Sequence, residues 1–101
     1  MGRYALIIAS WEYEDRRLKR LVAPPQDAEA LARVLEDQNI GGFDAVEVLL
    51  NRSSHEVNRA IEAFFIERER DDLALLYFSG HGIKDGWGRL YFATPDTDYK
   101  T

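Results

Sequence analysis

Short apolar runs alternate with longer amphipathic stretches along the chain. Tyr4 to Ala9 is an almost unbroken apolar run that stops at Ser10. A run of this kind, rich in Ile and Leu, reads as a central parallel strand covered on both faces. Trp11 to Val22 is crowded with charge and reads as a surface loop, with Leu18 and Leu21 as its anchors. Pro24-Pro25 then opens a helix, because proline is tolerated in a first turn, and Asp27 and Glu29 suit the positive end of that helix. Ala28, Leu31, Ala32 and Leu35 share one helical face. Asn39 and Gly41-Gly42 stop it. Ala45 to Leu50 is a second strand, with Val46, Val48 and Leu50 alternating against Glu47.

Ser53 with Glu56 fits a capping box, in which side chains tie off the free amide groups of a helix start. Val57, Ala60, Ile61, Phe64 and Phe65 form the apolar stripe of that second helix. Asp71-Asp72 ends the crossover, and Leu73 to Phe78 is the third and most apolar strand. Ser79-Gly80-His81-Gly82 follows. Lys84-Asp85-Gly86 carries a turn signal, and Arg89 to Ala93 reads as one arm of a hairpin. The tail from Thr94 is polar and unpatterned.

The order is therefore β-α-β-α-β and a hairpin, an α/β fold with a mainly parallel sheet and right-handed crossovers. Strand order 2-1-3 puts the two helices on opposite faces, giving a three-layer sandwich. It also places a switch point between the first and third strands, where ligand crevices form beyond the carboxyl ends of strands. Ser10-Trp11 and Ser79 to Gly82 emerge there. The third strand would then lie at an edge, and an edge so apolar invites pairing. We expect a fourth strand beyond Thr101, so that residues 1–101 are the N-terminal portion of a domain incomplete at its C-terminal side.

Composition narrows the function. The 101 residues allow one domain, and 46% hydrophobic with 31% charged residues is the balance of a globular protein. A net charge of −5 argues against a nucleic-acid partner bound through a basic face. The apolar runs fall well short of the roughly 18 residues of a membrane span, and the N-terminus lacks the pattern of a signal peptide. The expected location is cytoplasmic, with no membrane partner. The chain has no cysteine, which excludes disulfides, thiolate zinc sites and a cysteine nucleophile within it.

His81 stands out among the residues able to do chemistry. It lies between two glycines straight after a buried strand, where a general base near neutral pH contributes roughly 10²–10⁴ in rate. A bare Gly-His-Gly is more often the pattern of an ordinary turn histidine. His55 falls in the first turn of the second helix, exposed, and with His81 it lacks a third metal ligand. Ser79 does not sit in the Gly-x-Ser-x-Gly elbow of serine hydrolases. No Lys-Ser or Lys-Thr follows the glycines to make a phosphate loop. Trp11 and Trp87 could border a groove, although partial core burial is the simpler expectation for both.

The longer string Tyr77-Phe78-Ser79-Gly80-His81-Gly82 resembles the catalytic-histidine motif of the caspase and metacaspase family of cysteine peptidases. Leu21-Val22-Ala23-Pro24-Pro25-Gln26-Asp27-Ala28, followed by Leu31 and Leu35, resembles the start of that family's first helix. Gly88 to Ala93 is similar to the hairpin after its histidine. The three strings cover almost the whole chain in the family's order and look like bacterial caspase-like domains of multidomain signalling and conflict proteins. The resemblance implies a cysteine-type endopeptidase acting on a peptide or protein substrate, without a cofactor. His81 matches the histidine that assists the thiolate and protonates the leaving amine. Gly82 matches the glycine whose N–H helps form the oxyanion hole. Asp27 and Ser79 match residues of the substrate-binding pocket for the side chain before the scissile bond. An acidic pocket favours Arg or Lys there, which places the chain toward the metacaspase side. Asp27 is alternatively a plain helix-dipole carboxylate and Ser79 a plain turn residue. Calcium activates some metacaspases, but no calcium-loop pattern is present.

The family's nucleophile is a cysteine at the end of the fourth strand, and this chain contains none. It is expected to be inactive alone, as a fragment of a parent protein with further domain sequence. A disrupted reading frame, or a degenerate caspase fold kept as a non-catalytic interaction module, are the alternatives. A flavodoxin-like or receiver-like domain fits poorly. The first strand ends Ala9-Ser10-Trp11 and the third ends Ser79-Gly80-His81, without the acidic residues a receiver needs.

Overall fold

The computed structural model describes residues 1–98. In chain order the elements are β1 (Arg3–Ala9), α1 (Ala23–Glu36), β2 (Ala45–Leu50), α2 (Ser54–Ile66), β3 (Leu73–Ser79), β4 (Gly82–Lys84) and β5 (Leu90–Phe92). β1 pairs in parallel with β2 on one side and β3 on the other, giving the order β2-β1-β3, and β4-β5 form a separate antiparallel hairpin.

Strand pleating explains why β1 reads as one apolar run. Alternate side chains point to opposite faces, and here both faces are covered. Ala5, Ile7 and Ala9 pack on Ala28, Ala32 and Leu35 of α1. Leu6 and Ile8 pack on Val57 and Phe64 of α2. The helices therefore lie on opposite sides of the sheet, in three layers as expected.

Local chemistry fixes the helix ends. Pro24 stands in the first turn of α1 and is buried. That helix begins at Ala23, so Asp27 falls in its second turn and no carboxylate occupies the first. The expectation that Asp27 sits in the first turn, at the positive end of the helix, is corrected accordingly. After Glu36 the chain folds back through Gly41, whose N–H bonds Val34 O at 3.1 Å; a Cβ there would lie 2.6 Å from Leu35 Cα. Ser53 caps α2, its hydroxyl accepting the Glu56 N–H.

Three expectations fail at the surface. Phe65 is half exposed, at the margin of the α2 stripe, and packs edge-on against Phe64. Trp87, at the hairpin tip, is 86% exposed, whereas Trp11 packs on the α1-side core. The tail is not featureless: Thr94 is buried, and the segment to Asp98 is bonded to the rest of the fold. β3 behaves as the sequence suggests. Among the described residues it pairs with β1 alone, and Leu73 and Leu76 stay exposed. Among these residues no helix is long and apolar enough to cross a membrane.

Candidate active site

The three parallel strands end together at Ala9, Leu50 and Ser79. Beyond those ends lies the loop of residues 10–22, and the His81 segment rises beside it. Ser10 N donates to Ser79 O at 2.9 Å, tying β1 to β3 at the point where the chain leaves the sheet. Gly80 follows with φ +157, and a Cβ there would lie 2.9 Å from Tyr13 Oη and 3.0 Å from Ser10 O. Only a glycine leaves room for this close approach.

His81 is half-buried and held at two points. Its backbone N–H donates to Tyr13 Oη at 3.0 Å, and its ring Nε2 lies 2.8 Å from Lys19 O. A carbonyl oxygen only accepts. Nε2 therefore carries the proton of the neutral imidazole, and Nδ1 keeps its lone pair. The Tyr13 ring packs against the imidazole with centroids 5.0 Å apart and planes tilted by 56°.

Gly82 opens β4 opposite Phe92. Hairpin bonds run from Ala93 N to His81 O and from Asp85 N to Arg89 O. Hydrogen-bonded positions alternate along an antiparallel pair. Gly82 thus occupies a position without ladder bonds, and its N–H points away from β5. Among the described residues this N–H meets no acceptor, so a backbone donor stands directly after the histidine.

Ser79 is half-buried at the end of β3, its carbonyl engaged by Ser10. Asp27 is exposed on α1 and makes no hydrogen bond or ion pair among the described residues. A helix that follows a strand in a parallel crossover starts at the carboxyl end of the sheet, so Asp27 shares that end with Ser79, His81 and Gly82. Direct bonds do not join it to them. Sequence reasoning found His81 and its glycines but missed Tyr13, Lys19 and Asn51. All three act through backbone groups or on them, which no residue-type pattern encodes. Asn51 alone carried a signal, an Asn at a strand end, where left-handed backbone is tolerated.

A cleft of about 270 Å³ lined by Glu12, Tyr13, Glu14, Asn51 and Pro95 opens on this loop. A larger cavity of about 450 Å³ lies at the opposite end of the sheet, beside Tyr4, Ala45 and Arg68. Neither is lined by His81, Gly82, Ser79 or Asp27, but the smaller one borders Tyr13, whose hydroxyl accepts the His81 N–H. Glu69, Asp71 and Asp72 group their carboxylates within 4.8 Å of one another. Asp72 already accepts the N–H groups of Gly2 and Glu69, so it closes the turn into β3.

No curated protein gives a significant match. The family model of the caspase domain, peptidase C14, matches residues 2–99. With a 2-1-3 parallel sheet, flanking helices and a hairpin behind the third strand, the chain belongs to the caspase domain family.

Proposed function

We propose that this chain supplies the histidine side of a cysteine endopeptidase site, in which His81 works with a thiol from a segment outside residues 1–101. The observation that carries the reading is the anchored imidazole, with Nε2 spent on Lys19 O and Nδ1 open. Nδ1 takes the thiol proton as sulfur attacks the peptide carbonyl carbon. It returns that proton to the leaving amine as the C–N bond breaks, and water then hydrolyses the thioester. The unspent Gly82 N–H is suited to the oxyanion that develops on the carbonyl oxygen. Asp27 and Ser79 border the pocket for the residue before the cut, and the carboxylate favours Arg or Lys there. The absence of cysteine from the chain supports one alternative, a caspase fold used for binding only.

Both readings are tested on a polypeptide extended through the next strand and assayed with fluorogenic peptides bearing Arg, Lys or Asp before the cut. Turnover that is lost in His81→Ala and favours Arg or Lys is the expected result. Unchanged turnover in His81→Ala removes the role of His81. Preference for Asp removes that of Asp27. No cysteine in the extension and no turnover leave the interaction module.

A further inference from the structure

The ends of all three parallel strands are bonded to the loop of residues 10–22, and that loop holds the histidine. At the end of β2, Asn51 adopts left-handed backbone, with φ +50. Its N–H donates to Ala9 O at 2.9 Å. Its side-chain Oδ1 accepts two N–H groups, from Trp11 at 2.9 Å and Glu12 at 3.2 Å. The loop is thus suspended from a single amide oxygen just before Tyr13. Tyr13 then turns its hydroxyl back under the sheet ends, donating to Ser10 O at 2.8 Å and accepting the His81 N–H at 3.0 Å. Lys19, further along the same loop, receives Nε2.

We propose that Tyr13 is a positioning residue for His81, acting through its hydroxyl, and that Asn51 sets the loop from which it acts. The proposal rests on the reading of His81 as the proton-transfer group. An imidazole that must take and return a proton at Nδ1 needs a fixed ring. Rotation about its terminal torsion is soft and roughly two-fold, and it would exchange Nδ1 with Cδ2 and Nε2 with Cε1, putting carbon where each nitrogen must be. The Lys19 carbonyl holds one ring atom, while Tyr13 holds the backbone the ring hangs from and one side of the ring itself. Phenylalanine would keep the ring contact but leave the His81 N–H and the Ser10 carbonyl without their shared partner. Burial raises the Tyr13 pKa above that of a free phenol, outweighing the opposing His81 N–H. The hydroxyl therefore remains a donor throughout the neutral range.

The test reads the imidazoles of the ¹⁵N-labelled 101-residue chain by NMR at pH 8.5, where an imidazole is neutral. His55, exposed on α2, is the reference in the same spectrum. The His81 ring should show a protonated Nε2 whose proton exchanges slowly with water. In Tyr13→Phe that exchange should speed up about tenfold, the scale of one lost hydrogen bond, with His55 unchanged. Asn51→Ala, which keeps Tyr13, should act in the same direction. His81 ring signals that stay unchanged in both folded variants overturn the role of Tyr13 and leave that of His81 standing. Peptide cleavage that survives His81→Ala in the extended polypeptide overturns both.

Discussion

Gly80 sets the space around the histidine. Its missing side chain is what lets the Tyr13 hydroxyl, the Ser10 carbonyl and the Phe78 ring converge within about 3 Å of one point. Gly80→Ala should therefore cost about 1–3 kcal/mol in urea unfolding, the usual scale of overpacking. Gly86→Ala is the control, since nothing lies within 4 Å of a Cβ there; its change should stay within about 0.5 kcal/mol. Equal effects would mean that the crowding at Gly80 relaxes freely. The glycines flanking His81 were legible because residue type alone marks them. The partner of the histidine was not, since Tyr13 meets His81 across 68 positions of sequence and through a backbone N–H. Asp27 shows the converse. Its position in the sequence suggested a first-turn carboxylate on the helix dipole, but a helix start depends on where the backbone turns, and α1 starts at Ala23.

Elements whose burial is uniform were the easiest to read. β1 is buried along nearly its whole length, so its hydrophobic run needs no periodicity to betray it. The cap of α2 was equally legible, because Ser53 and Glu56 satisfy each other locally. Glu56 is held below the usual carboxylate range, chiefly by Arg52 and then by Ser53. Ser53→Ala should lower stability by about 1 kcal/mol, and Ser53→Gly by only a few tenths. Urea midpoints of the two variants distinguish a side-chain cap from a backbone preference. Phe65 and Trp87 were misread because apolar character was equated with burial, and large apolar side chains also occupy margins and tips. β3 is apolar yet half covered, since Leu76 remains 41% exposed at an unpaired edge among the described residues. Such an edge templates pairing with another chain. Sedimentation velocity should show the 101-residue chain self-associating as concentration rises, and Leu76→Lys should suppress this with little change in stability. Equal association of the variant would place the contact elsewhere.

At the scale of the whole molecule, the segment after β5 ties together parts that the sheet alone leaves separate. Pro95 O accepts the Glu14 N–H at 2.9 Å, and Asp98 pairs with Arg17 at 3.0 Å, which fastens the segment to the loop over the candidate site. Asp96 reaches the other way, to the start of α2. Its carboxylate accepts the Ser54 N–H at 2.9 Å and the Ser54 and Thr94 hydroxyls at 3.2 and 2.6 Å. A negative group is thus delivered to a helix N-terminus by a distant part of the chain. Sequence patterning could not show this, because polar residues in a tail look alike until their partners are known. The Thr94 hydroxyl first, and then the Ser54 donors, hold the Asp96 carboxyl below its ordinary range. A carboxylate whose pKa is lower folded than unfolded adds stability above the unfolded value of about 3.9 and loses it as pH falls through the folded one. Wild type should therefore melt at a higher temperature than Asp96→Asn at pH 7. The gap should narrow once the pH drops below about 4, as the carboxylate takes up a proton and its charge at the helix start disappears. Thermal scans of both proteins from pH 7 to 2.5 measure that gap. A gap that stays constant to the lowest pH would mean that Asp96 acts by shape and hydrogen bonding alone, with its charge contributing nothing to the tie between the site loop and α2.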